Sequence, residues 1–241
     1  MANDAQNSPF IKHLASSDKS TRDQALDSLR AYLNGRSQID EIDLLKLWKG
    51  LYYCLWMQDK PALQQRLARD LAGLVGVLKP DVVLPFLESF WKTIARVWGG
   101  IDALRMDKYL YLIRQYLNAS FKYLARNSWS NTDAVSAYMT MLSHVPLHPT
   151  DSKIPNGLRY HVLDIYADEL EKVCGDKMDD VPVEVILEPV ERLTKHGKDK
   201  SVRKTAKQVL DDDRVRRWRG EEVEEELAES GENDEWGGIE G

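Results

Sequence analysis

Apolar residues return every three or four positions along most of this 241-residue chain, and hardly anywhere do they alternate as a half-buried strand requires. That regularity restricts the fold to helices packed on helices. Leu44, Trp48, Leu51 and Leu55 share one stripe, as do Leu84, Leu87, Trp91, Ile94 and Trp98, and a later stripe runs through Met106, Leu110, Ile113, Leu117 and Phe121. The stops and starts agree with this reading. Ser20 is the expected N-cap of a helix carrying Leu26, Leu29 and Leu33, with Gly35 just beyond it. Pro61 suits the first turn of a helix that turns Leu63, Leu67, Leu71, Leu74 and Leu78 inward and that Pro80 ends. Further helices are expected over 42–57, 83–98, 103–124 (capped by Asp102), 133–145 (capped by Thr132), 158–173, 183–195 and 201–210. The longest irregular stretch, Pro146 to Gly157, holds three prolines.

Successive helices joined by short turns read as antiparallel helical hairpins. Without a strict sequence repeat, the expected fold is all-α, an irregular α-solenoid of the HEAT or armadillo type. A compact bundle is the alternative, but ten or so helices exceed what one bundle core serves. The expected organisation is a flexible segment over 1–8, a helical-repeat domain over 9–210, and a charged helix with an acidic, disordered tail over 211–241.

Charge is placed very unevenly. From Lys195 to Arg219 there are ten Lys/Arg against four Asp, and from Gly220 to Gly241 ten Asp/Glu with no Lys/Arg. With both segments removed the first 194 residues carry only −2, so the acidity behind the net charge of −6 belongs to the tail. Such an acid run repels itself and buries little, with Trp236 standing out inside it as a docking anchor. Cys54 and Cys174 are far apart and unpaired by spacing, which suits a reducing compartment. The first ten residues lack the apolar region of a secretory signal, and no run reaches the ~18 apolar residues of a membrane span. A soluble, intracellular protein is expected.

Signs of catalysis are poor: no phosphate-binding loop, nucleophile elbow, paired-histidine zinc helix or dinucleotide fingerprint is present. His144 and His148 are four apart, but Pro146 lies between them and no third ligand is near, so they read as loop histidines. Cys54 and the tryptophans Trp48, Trp56, Trp91 and Trp98 read as core, Asp59 as an acceptor at a helix start, and Arg66 as partner to an acid on a neighbouring helix. No catalytic, metal or cofactor site is expected. What stands out is surface. Opposite the apolar stripes lie Lys46, Lys49, Tyr53 and Met57 on one helix and Arg105, Lys108, Tyr111 and Gln115 on another. Faces mixing Arg/Lys with Tyr are typical of interfaces, so Lys49, Tyr53, Arg105, Lys108 and Tyr111 are the expected protein-binding surface. Lys200, Arg203, Lys204 and Lys207 share a helix face, either a contact with RNA phosphates or the solvated side of a capping repeat. The Arg214–Arg219 run is placed to form a charge clasp with nearby acids.

Two blocks, LWKGLYYCLWMQDKP with QQRLA (from Leu47) and FWKTI with GIDALRMDKYLYLIR (from Phe90), resemble the eukaryotic ribosomal RNA processing protein 1 family, nucleolar factors of large-subunit assembly. A weaker match lies at IPNGLRYHVLDIYADEL, Ile154 to Leu170, and the resemblance runs from about Pro9 to Val173. It implies a non-enzymatic assembly factor of the nucleolar pre-60S particle that enables cleavage of pre-rRNA by others. The implied partners are Brix-domain and WD-repeat assembly factors and pre-rRNA, with no cofactor and no membrane. Members of that family often extend into a lysine-rich tail, whereas this sequence reaches Gly241 acidic. Taken without the resemblance, the residues fit equally a cytoplasmic helical-repeat adaptor with no RNA connection.

Overall fold

The computed structural model describes residues 13, 14, 16 and 18–222. Among them are ten α-helices and no strand: α1 (Lys19–Asn34), α2 (Glu41–Trp56), α3 (Pro61–Ala72), α4 (Pro80–Val97), α5 (Ala103–Leu124), α6 (Thr132–His144), α7 (Asn156–Cys174), α8 (Val183–His196), α9 (Lys200–Leu210) and α10 (Asp213–Trp218). None of these helices is long and apolar enough to cross a membrane.

From α2 to α9, helices stack on the next but one. In one layer α2 packs on α4, α4 on α6 and α6 on α8; in the other α3 packs on α5, α5 on α7 and α7 on α9. The result is the expected all-α array of helical hairpins, two layers thick, with one apolar core running between the layers. Large aromatics tie the layers together. Trp48 of α2 lies with its ring centroid 4.9 Å from those of Phe86 and Phe90 of α4 and 5.0 Å from that of Tyr116 of α5. Tyr109 and Tyr116 are fully buried, yet each donates its hydroxyl to a backbone carbonyl, of Tyr52 (2.8 Å) and Leu71 (2.5 Å) respectively.

Those two tyrosines correct the expected stripe of α5. The buried side carries Tyr109, Leu112, Ile113, Tyr116, Leu117 and Phe121, and Met106 and Leu110 are left half-exposed on the outer flank. A tyrosine whose hydroxyl finds a carbonyl buries more apolar surface than a methionine does, so the helix turns its aromatic side inward. Trp48 and Trp91 are core as expected, whereas Trp56 and Trp98 are half-exposed. Two caps also differ: Asp18, not Ser20, accepts the Thr21 N–H at the start of α1 (2.7 Å), and Asn131, not Thr132, caps α6. Asp102 caps α5 as expected, accepting from the Arg105 N–H at 3.0 Å. The acid run beyond Glu222, with Trp236, lies outside the described residues, as does the segment before His13.

The proline-rich stretch between α6 and α7 is organised by one side chain. Arg159, 5 % exposed, donates Nε and Nη2 to the His148 carbonyl (2.9 and 2.7 Å) and Nη2 also to the Asp151 carbonyl (2.7 Å). Its Nη1 reaches the Ile154 carbonyl (2.5 Å) and the Asn156 side chain (2.8 Å). His148 Nδ1 in turn accepts the Thr150 and Asp151 N–H groups at 3.2 and 2.9 Å. A loop without helix or sheet partners must satisfy its carbonyls some other way, and a buried guanidinium with five donors does so here.

Candidate interaction surfaces

The first surface forms where the end of α2 meets the start of α5. The last carbonyls of any helix lack intrahelical donors. Here Lys108 supplies them, its Nζ donating to the Trp56 and Gln58 carbonyls, both at 2.8 Å. Gln64 Nε2 adds a second bond to the Gln58 carbonyl at 2.7 Å. Lys108 is therefore 6 % exposed, and burial, reinforced by the nearby Arg105 charge, holds its ammonium below the usual lysine range. This departs from the exposed position expected of it: a long side chain with a helix end in reach is drawn to the orphan carbonyls.

Around that anchor the exposed groups gather. The Arg105 guanidinium lies 4.6 Å from the centre of the Trp56 ring and pairs with Asp102. Behind Trp56, Tyr52 stacks on Tyr109 with ring centroids 4.7 Å apart. Tyr53 is 47 % exposed and Met57 64 %, and Lys49 stands one turn before Tyr53 on the same face. Leu104, beside Arg105, is 94 % exposed. Tyr111 is held toward α3, where its hydroxyl accepts from Arg69 Nη1 at 2.9 Å. The structure thus brings Arg105 onto Trp56, leaves Lys49 and Tyr53 exposed on α2, seats Lys108 at the Trp56 carbonyl, and sets Tyr111 further along α5. Trp56, Met57 and Leu104 complete the patch. Leu104 was legible in principle, because an apolar residue so soon after an N-cap residue such as Asp102 lies in the first turn, before the buried stripe begins.

The second surface is α9. Val202 and Ala206 face the core, and Lys200, Lys204 and Lys207 form an exposed stripe on the opposite side. None of the three makes an ion pair among the described residues. Arg203 does not join them. It is half-buried and donates to the Gly197 and Lys198 carbonyls (2.7 and 3.1 Å), closing the end of α8. A Cβ at Gly197 would come within 2.6 Å of the Leu193 carbonyl oxygen, so the turn that Arg203 closes needs a glycine.

Three of the four arginines from Arg214 to Arg219 pair with acids among the described residues, mainly on α7 and α8 rather than on the acid run; Arg217 donates instead to the Asp213 carbonyl. Arg214 pairs with Asp168 (3.2 Å) and Glu171 (2.9 Å) of α7 and with Asp212 (2.9 Å). Arg219 pairs with Glu184 and Glu191 of α8, and Arg216 with Glu221 (3.1 Å). Arg66 pairs with Asp23 of α1 at 3.2 Å, as expected. Cys54 is buried, its thiol pushed up to about 12 by desolvation. Asp59 makes no cap; the N-cap of α3 is Lys60, without a side-chain bond. Among the described residues no three His, Cys, Asp or Glu side chains are grouped to hold a metal ion.

Residues 5–237 match the family described as Nucleolar protein, Nop52. The chain belongs to the Nop52 family. It is 43 % identical over 175 residues to Ribosomal RNA processing protein 1 homolog B of Homo sapiens, covering 70 % of this chain and 23 % of that protein. It is 36 % identical over 199 residues to homolog A of the same organism (80 % and 43 %), and 30 % identical over 191 residues to the Drosophila melanogaster homolog (77 % and 27 %). The chain thus spans less than half the length of these curated relatives. Both helices that build the first surface, and most of the array, fall inside the span that matches Nop52.

Proposed function

We propose that this Nop52-family chain is a non-enzymatic scaffold of ribosome biogenesis, acting in the nucleolus on the pre-60S particle and needed there for processing of the ribosomal RNA precursor. The relatives' names support the pathway, and Arg105 over the Trp56 ring, with exposed Lys49 and Tyr53 on the same helix as that ring, carries the reading of a scaffold. A half-buried arginine held over an aromatic ring, flanked by exposed Tyr53, Met57 and Leu104, is pre-organised for a protein partner. Its base is rigid, since Lys108 locks α5 to the end of α2. The partners proposed for it are large-subunit assembly factors, Brix-domain and WD-repeat proteins among them.

The test separates partner contact from folding. Changing Lys49 and Tyr53 together to Ala is expected to cut recovery of pre-60S factors in a tagged pull-down about tenfold, with the melting temperature nearly unchanged, because both are exposed. Lys108→Ala should do the reverse, lowering stability by about 1–2 kcal/mol, because the Trp56 carbonyl loses its donor while the Gln58 carbonyl keeps Gln64. Full recovery of partners by the double variant would show that this face is not the docking surface.

The α9 stripe is proposed to touch pre-rRNA phosphates. Replacing Lys200, Lys204 and Lys207 with Gln should lower the slope of log affinity against log salt by roughly two to three, from ~0.7–0.9 per phosphate released. Arg203→Gln should leave that slope alone, since its guanidinium is engaged by the α8–α9 turn. Equal slopes for the triple variant and the parent would leave the stripe as an ordinary solvated face.

A further inference from the structure

A groove of about 630 Å³ crosses the α5–α7–α9 layer, away from the α2–α5 patch. Its floor is Met106 and Leu110 of α5, Tyr160 and Ala167 of α7 and Val209 of α9, with Trp98 at one side. The two α5 residues are there because Tyr109 and Tyr116 hold the core side of that helix. The indole of Trp98 lies directly on the α7 backbone, since a Cβ at Gly157 would sit 2.9 Å from Trp98 Nε1. Tyr160 is fixed by its hydroxyl, 2.6 Å from Ser201 Oγ of α9. The cleft thus combines apolar side chains of three stacked helices with the polar groups of His161, Asp164 and Thr205, and its apolar part suits a single large aromatic anchor.

Two features point to what fills it. On the α9 side, Gln208 lines the groove one turn from Lys204, so the stripe of Lys200, Lys204 and Lys207, without an ion pair among the described residues, lies on the adjoining face of that helix. At the α10 end, Asp212 and Arg214 line it, and the described chain leaves at Glu222, eight residues beyond Arg214. The stretch from 223 to 241 is strongly acidic, with no Lys or Arg, and carries Trp236 and Ile239 in the sequence DEWGGI. The fourteen residues from 223 to 236 can span up to ~46 Å, so reach does not limit the choice.

We infer that the chain's own C-terminal segment occupies this groove, Trp236 seated against Met106, Leu110 and Trp98 with the surrounding carboxylates over the α9 lysines. Tethering makes a weak contact sufficient. At an effective concentration on the order of 1 mM, an interaction with a Kd of ~0.1 mM is about nine-tenths formed. The contact covers an apolar cleft that would otherwise face water, and it places an anion where the lysine stripe meets phosphate. It stands whether or not that stripe binds RNA.

The experiment uses the full chain, isotope-labelled, with a spin label on Glu240→Cys; Cys54 and Cys174 are buried and leave that thiol the reactive one. Paramagnetic broadening is expected at the amides of Gly157, Tyr160, Ala167 and Val209, and is expected to vanish in W236A and to weaken severalfold in 0.5 M salt. No broadening at these amides, or broadening that W236A leaves unchanged, overturns the proposal. A mixture of spin-labelled unenriched chain with enriched unlabelled chain gives a further arm. Broadening of the enriched chain at the same strength would assign the groove to the tail of a second copy instead and overturn the intramolecular contact.

Discussion

Trp48→Ala is expected to destabilise the fold by about 4 kcal/mol, a fall in melting temperature of roughly 8–16 °C for a chain of this size. The indole is 2 % exposed and is the one side chain whose ring meets Phe86, Phe90 and Tyr116, drawing α2, α4 and α5 into one contact. Truncation removes that ring contact and leaves a cavity that three separate helices cannot collapse together. It also strips the Phe86 carbonyl of the indole N–H, which donates to it at 3.0 Å inside the core. Trp48→Phe keeps most of the ring and loses only the donor, so about half of the loss should return. Thermal and urea melts followed by circular dichroism give both numbers. A loss under about 1 kcal/mol for the alanine variant would mean that the core closes over the gap.

Arg159→Met should cost about 3–4 kcal/mol, and the signature should be local. Methionine fills the volume of the stem but leaves the His148, Asp151 and Ile154 carbonyls without their donor. Hydrogen exchange should accelerate from Pro146 to Gly157 well before the helices on either side, and limited proteolysis should cut there. Arg159→Lys is expected to recover little, because one ammonium cannot reach carbonyls that a planar fork spans. Uniform acceleration across α6 and α7 would instead make Arg159 a general packing residue.

These two residues mark where sequence reading succeeds and where it fails. Trp48 was legible as core because the spacing of Leu44, Trp48, Leu51 and Leu55 is sufficient to place it on the inner face. The helices were legible for the same reason, and Asp102 and Pro61 marked two starts to the residue. Arg159, Lys108 and Arg203 were not. Periodicity assigns a residue to a face of its helix, but the atoms that matter in these side chains sit four to six bonds from the backbone. Each was drawn to carbonyls on a different segment, which no spacing within its own helix announces. The expected stripe of α5 left out Tyr109 and Tyr116, whose burial is made favourable by backbone carbonyls across the core. Of the expected interface residues, Lys49, Tyr53 and Arg105 were legible only as side chains off the apolar stripes. Their arrangement around Trp56 needed the meeting of α2 with α5.

Stacking on the next helix but one also sets the pace at which this chain can be made. Its helix-to-helix side-chain hydrogen bonds, such as Tyr166 to the Ile186 carbonyl and Tyr109 to the Tyr52 carbonyl, join positions 20 and 57 apart. Emerging at ~5–20 residues per second, a newly synthesised helix waits on the order of 3–11 s for the farthest of these partners. Nascent α2 can bury Trp48 once α4 and α5 are out, and the next pair adds to a finished edge. By its own topology, the array is one that can fold pair by pair while it is still being made.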